Sequence, residues 1–261
     1  MFEAVILGIV QGLTEFLPVS SSAHLILFPW FFGWQGIIDS LAFDVALHTG
    51  TLMALLFYFR KDWIELLKTS VNKDGMLWKI IIGTIPAGIA GVFLHDLIEE
   101  NRNPGIIAFT LCLVSAFMIL SERNYGKSER TGIEKVSFGN SLFIGMAQAF
   151  ALIPGVSRSG ITIVAGLVKG MKREDAARFS FLLSTPAIAG ASLLEARKLL
   201  HAPDVQYDIF IAGTVVSAVT GYFAIKYLLR FLQRHSLTPF AYYRFFLAFV
   251  IILAVWTGLK R

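Results

Sequence analysis

With 261 residues, 56% of them hydrophobic and only 16% charged, the chain is too apolar for a water-soluble domain, and a mean hydropathy of +0.67 reads as an integral membrane protein. A net charge of +5 would point to nucleic acid in a soluble protein. Here the cations gather in short loops between apolar runs, as membrane orientation requires, and nucleic acid is set aside. One cysteine, Cys112, excludes an intramolecular disulfide and reads as a small packing residue.

The first stretch, residues 1–34, has no basic leader and no small-residue cleavage site, so it is expected to belong to the working protein. It is apolar but broken near its middle by "LPVSSSAH", and each half is too short to cross a hydrocarbon core. Non-helical backbone survives at membrane depth only where protein or a water-filled cavity satisfies it, which predicts a re-entrant helix–turn–helix hairpin. Three spans follow, at about 40–59, 77–97 and 104–121. The segment "SERNYGKSERTGIEK", from Ser121, reads as a flexible cytosolic connector. A second broken stretch, 138–170, is interrupted at "IPGVSRSG" and predicts a second hairpin. Spans at about 179–197, 209–230 and 239–257 complete six crossings.

The two halves resemble each other. From Gln11, "QGLTEFLPVSSS" aligns without gaps on "QAFALIPGVSRS" from Gln148. "LHTG" from Leu47 matches "LSTP" from Leu183, Gly83 matches Gly213 in "GTIPAGIAGVF" and "GTVVSAVTGYF", and Pro104 and Pro239 each open a third span. Matches in constant order at nearly constant offset indicate an internal repeat, and one hairpin plus three crossings is odd, so the second copy is expected to be inverted. The expected fold is an all-α polytopic membrane protein forming one domain over 1–261, with repeat one at about 1–122, a connector at 123–137 and repeat two at 138–261. Of the 23 basic residues, sixteen fall on one loop face and five on the other. The richer face is expected to be cytosolic and both termini outside.

The remaining two cations, Arg158 and Arg244, lie inside apolar segments. An intramembrane charge costs about 2.5–3.5 kcal/mol on insertion scales and normally faces a partner or a polar cavity. Taken alone, Arg158 fits a residue that ties helix-tip carbonyls; with Ser157, Ser159, Gly160 and the first amides of a half-helix it fits an anion clamp. In the first hairpin Gln11 and Glu15 are four apart on one helix face, and His24 follows the serine turn. Glu15 is either a counter-ion for Arg158 or a working carboxylate. Together, carboxylate, histidine, hydroxyls and arginine at two hairpin tips are the parts of phosphoryl transfer. Asp44 and His48, four apart, rank lower, as a supporting shell or a metal position. Arg244 is expected to pair with a carboxylate such as Asp44 or to snorkel. His95, His201 and His235 are expected to be solvated.

"QGLTEFLPVSSSAH" and "PGVSRSGIT", with "FSFLLSTPAI" and "TPFAYYRF", resemble the signature segments of the bacterial undecaprenyl-diphosphate phosphatases of the integral membrane type, distinct from the acid-phosphatase-like lipid phosphatases. The resemblance covers essentially the whole chain. It implies hydrolysis of the C55 lipid diphosphate to the monophosphate, which recycles the carrier for cell-wall synthesis in the bacterial inner membrane. It implies a divalent cation, Mg²⁺ or Ca²⁺, with Glu15 as a metal position, and it admits a homodimer. Carried over, the catalytic residues are Glu15, Ser21, His24 and Arg158, and the substrate-binding residues are Gln11, Ser22, Ser157, Ser159, Gly160 and Thr162. Gln11 stands where the family's motif has Glu or Gln. The nucleophile is left open among His24, a Ser21 hydroxyl deprotonated by His24, and an activated water. A transporter or flippase of polyprenyl phosphate is the alternative, because inverted repeats with broken helices also hold anions for carriage.

Overall fold

The structure, a computed structural model, describes residues 1–69, 75–93, 103–127, 129–199 and 206–258, without the side chains of 127 and 194–199. His95, His201 and the loop positions Lys73 and Asp204 lie outside the described residues. The described part is all-helical, and five of its helices are long and apolar enough to cross a membrane.

The first broken stretch forms α1 (Phe2–Phe16) and α2 (Ser21–Phe32), joined by the non-helical residues 17–20. Then come α3 (Leu41–Tyr58), a short α4 (Arg60–Lys68), α5 (Met76–Phe93) and α6 (Pro104–Arg123). The second broken stretch forms α7 (Phe138–Phe150) and α8 (Arg158–Val168), joined by 151–157. α9 (Arg173–Leu199), α10 (Tyr207–Leu232) and α11 (Thr238–Trp256) close the chain. The five membrane-length helices, α3, α5, α6, α10 and α11, fall on five of the expected spans. The sixth expected span, 179–197, lies inside α9, a 27-residue helix with an acidic first turn at Glu174 and Asp175.

The two breaks are alike in detail. Ser20 and Ser157 are the non-glycine residues with positive φ among the described residues, at 77° and 72°. Each precedes a half-helix, and its hydroxyl accepts the amide three residues on, from Ala23 and Gly160. A side-chain cap holds a left-handed serine that would otherwise be strained.

Each hairpin leans on the other half of the chain. α1 packs along α10, and α7 along α5. Both contacts are glycine on glycine: a Cβ on Gly8 would lie 2.8 Å from the Gly213 carbonyl, and one on Gly145 only 2.0 Å from that of Gly83. Hydroxyls join the same seams, with Ser141 Oγ donating to the Lys79 carbonyl at 2.5 Å and Thr220 Oγ1 to that of Gly8 at 3.3 Å. Close backbone approach with small residues and hydroxyl bridges is how helices associate where lipid removes the hydrophobic drive. Outward faces stay apolar and exposed, as at Phe57, Phe93, Phe109, Val215, Phe223 and Phe246.

Two arginines make contacts at the described part of the connector. Arg130 donates to the carbonyls of Asn124, Tyr125 and Leu167 at 2.7–2.8 Å. A cation there neutralises the carbonyl-rich ends of α6 and α8. Arg173 grips Glu122 and lies over the Tyr125 ring at 3.6 Å. His235 is exposed and stacks on Phe231.

Candidate active site

The two breaks meet, and Glu15 is where they meet. It is the penultimate residue of α1, and α1 buries its carboxylate to 5% exposure. Ser21, the first residue of α2, donates its hydroxyl to Glu15 Oε2 at 2.6 Å. Gln11, one turn back on α1, donates to the same oxygen at 3.0 Å. Arg158, the first residue of α8, donates to Oε1 and forms an ion pair across the two hairpins. Ser159 Oγ donates to the Leu17 carbonyl at 3.2 Å and fastens the second tip to the first.

Two buried atoms of this cluster have no hydrogen-bond partner among the described residues: Nη1 of Arg158 and Oε1 of Gln11. A buried unpaired donor or acceptor is costly, so such atoms mark where a ligand, water or ion is expected. Guanidinium Nη1 suits an anion oxygen. A carboxamide oxygen beside a carboxylate and a hydroxyl suits a hard cation that keeps most of its waters. No cluster of three or more His, Cys, Asp or Glu stands among the described residues.

His48 enters where the sequence ranked it low. Its Nε2 lies 3.4 Å from Glu15 Oε2, and its Nδ1 meets the Asp44 carbonyl at 2.8 Å. Its spacing from Asp44 was visible in sequence, but its approach to Glu15 depends on how α3 packs on α1.

Several expected site residues have other occupations. His24 has both ring nitrogens engaged, one with the Ser20 carbonyl and one with the Tyr243 hydroxyl, each at 2.7 Å. The hydrogen bonds of Ser21 and Glu15 do not include it, and its Nδ1 contact ties it to the left-handed Ser20 turn. The Gly160 amide, expected to face an anion, is taken by the Ser157 hydroxyl at 3.1 Å. The Arg158 and Ser159 amides remain without a partner inside the helix, as first-turn amides do. Thr162 points inward, to the Arg158 carbonyl and the Ser180 hydroxyl, both at 2.6 Å, and is fully buried. Ser22 and Ser20 share a contact at 3.2 Å, and Ser157 and Ser159 one at 3.3 Å.

Arg244 corrects an expectation. Among the described residues its hydrogen bonds reach neutral oxygens only: Ser115 Oγ and the carbonyls of Pro18, Thr110, Gly155 and Val156, at 3.0–3.5 Å. It neither snorkels nor bonds to Asp44, because the carbonyls that both breaks release already surround it.

The fold and the site together define a multi-pass membrane protein whose two hairpin tips bring a carboxylate, a hydroxyl and a guanidinium to one point. The family model described as bacitracin resistance protein BacA matches residues 4–250. The chain is similar to the undecaprenyl-diphosphatase of Thermodesulfovibrio yellowstonii, 55% identical over 97% of this chain and 96% of that protein. Those of Thermomicrobium roseum and Desulforudis audaxviator are 46% and 45% identical, covering at least 98% of both chains. The chain belongs to the BacA family.

Proposed function

We propose that the chain hydrolyses undecaprenyl diphosphate to undecaprenyl phosphate and inorganic phosphate, with Ser21 as nucleophile. The observation that carries this is the Ser21–Glu15–Arg158 arrangement: a hydroxyl on a carboxylate, and a guanidinium on that carboxylate's other oxygen with one nitrogen to spare. Full-length relatives that carry the same name support the substrate.

Arg158 and the first amides of α8 hold the terminal phosphoryl oxygens and take up the charge that develops on them. Ser21 Oγ attacks the terminal phosphorus, its proton passes to Glu15, and the bond to the bridging oxygen breaks to release undecaprenyl phosphate. Glu15 gives that proton up to the departing undecaprenyl phosphate, accepts one from water as the water attacks the phosphoserine, and returns it to Ser21 Oγ as inorganic phosphate leaves. Gln11 and His48 hold the carboxylate in place. Glu15 and Gln11 would hold a divalent cation, which would supply charge neutralisation to the diphosphate.

The surrounding architecture is two inverted repeats in one membrane domain. The twin left-handed serines and the reciprocal packing of α1 on α10 and of α7 on α5 support this reading. Loop charge supports a bacterial inner-membrane orientation with both termini outside, so that hairpin one opens toward the outer leaflet and the lipid diphosphate enters from there.

The test is phosphate release from a polyprenyl diphosphate by purified protein in detergent, with and without chelator. Release that falls with chelator and returns with Mg²⁺ or Ca²⁺ is expected. A monodisperse protein that binds the lipid and releases no phosphate would favour the transport alternative.

A further inference from the structure

The chemistry proposed above uses one intramembrane arginine and leaves the other unexplained. Arg244 is fully buried in the first half of α11. A buried charge in an apolar helix, with no carboxylate among the described residues on its hydrogen-bonding nitrogens, needs a reason. The carbonyls it collects supply one. Pro18 belongs to the first break, and Gly155 and Val156 to the second. Helix breaks free carbonyls that have no ladder to join, and inside a membrane something else must satisfy them. Here one guanidinium serves both breaks, with Thr110 and Ser115 of α6 completing the ring of oxygens.

The second break is also pressed against α6. Gly155 has φ +87°, and a Cβ there would fall 2.1 Å from Thr110 Oγ1. That hydroxyl donates to the Pro154 carbonyl at 2.8 Å. Such a ring of carbonyls from unwound helices is what a free monovalent cation occupies in transporters built from broken helices. In this chain the cation is tethered to α11.

We propose that Arg244 is a positioning residue: a built-in cation that holds the two hairpin breaks at fixed separation, so that Arg158 on one tip reaches Glu15 and Ser21 on the other. It acts through those tips and does not touch the substrate. Without it the facing carbonyls repel, and the tips drift while the anion-binding groups on each tip stay intact. Turnover therefore falls and substrate affinity largely holds.

The proposal rests on the phosphatase reading, and the experiment separates the two. Phosphate release is measured for wild type, Arg244→Ala, Arg244→Lys and Arg244→Gln, each checked for monodispersity by gel filtration. Arg244→Ala is expected to lose about 100-fold in kcat, the scale of misplacing one preorganised charge partner, with KM little changed. Free guanidinium at millimolar concentration should restore kcat saturably, because it refills the ring. Urea, the neutral isostere, should not. If Arg244→Ala is not monodisperse, the order of kcat, wild type above Lys above Gln at similar KM, carries the test, since a point charge reaches fewer carbonyls than a fork. Kcat near wild type in Arg244→Ala or Arg244→Gln overturns the proposal. So does a loss confined to KM, equal rescue by urea, or a folded Arg244→Ala that guanidinium does not rescue. Wild-type protein that releases no phosphate overturns the activity and this proposal with it.

Discussion

Ser21 and His24 are three residues apart, one turn of the same half-helix, yet they face different partners. Ser21 leans on Glu15 and His24 on the Ser20 carbonyl and Tyr243. Two substitutions tell their roles apart in a phosphate-release assay. Ser21→Ala should abolish turnover, because among the described residues no other hydroxyl donates to Glu15. His24→Asn places an amide where Nδ1 stood, retains the bond to Ser20, and should keep far more activity than His24→Ala. A dead His24→Asn beside an active Ser21→Ala would return the nucleophile to histidine. Arg158→Ala should lose about 10²–10³ in kcat, as for removal of an oxyanion donor. Arg158→Lys should recover little of it, since an ammonium cannot serve the carboxylate and a phosphate in one plane. The sequence shows why these positions matter, through the cost of a charge in an apolar run. It does not show that Arg244, not Arg158, is the residue tying helix-tip carbonyls together, because the carbonyls lie 88, 89, 134 and 226 residues away along the chain. The same holds for His48 and the inward turn of Thr162: the residue types are visible, but their directions come from packing.

At the scale of helices, the seams between α1 and α10 and between α7 and α5 depend on missing side chains. Gly145→Ala drives a methyl into the Gly83 carbonyl and should cost about 1–3 kcal/mol, the usual range for overpacking. Gly88→Ala lies on the same α5 helix with nothing within 4 Å of its Cβ, and should gain up to about 1 kcal/mol in helix propensity. Thermal unfolding in detergent checks this: a clearly lower Tm for Gly145→Ala beside an unchanged or raised Tm for Gly88→Ala. Equal shifts would mean that the seam is loose. Helix positions were legible here because Pro, Gly and Ser interrupt apolar runs at the places where backbone order changes. The partner of each helix was not. The repeat told which segments correspond, and correspondence does not say that each hairpin rests on the opposite half.

Across the whole molecule, loop charge and repeat parity make a prediction independent of the chemistry. In a background without Cys112, a cysteine near Phe32 should react with an impermeant thiol reagent added outside intact cells. One near Gly126 should react only after the membrane is opened. Labelling of the Gly126 position from outside would reverse the orientation and remove the outer-leaflet entry of substrate. The reciprocal packing also sets a schedule for biogenesis. α1 is made first, but α10, the helix that receives it, is complete only at Leu232. At about 5–20 residues per second of synthesis, the gap amounts to roughly 10–40 s. During that interval a hairpin tip carrying Gln11, Glu15, three serines and His24 waits beside the lipid without its seam, so the nascent chain is expected to need shelter from the insertion machinery until its last third emerges.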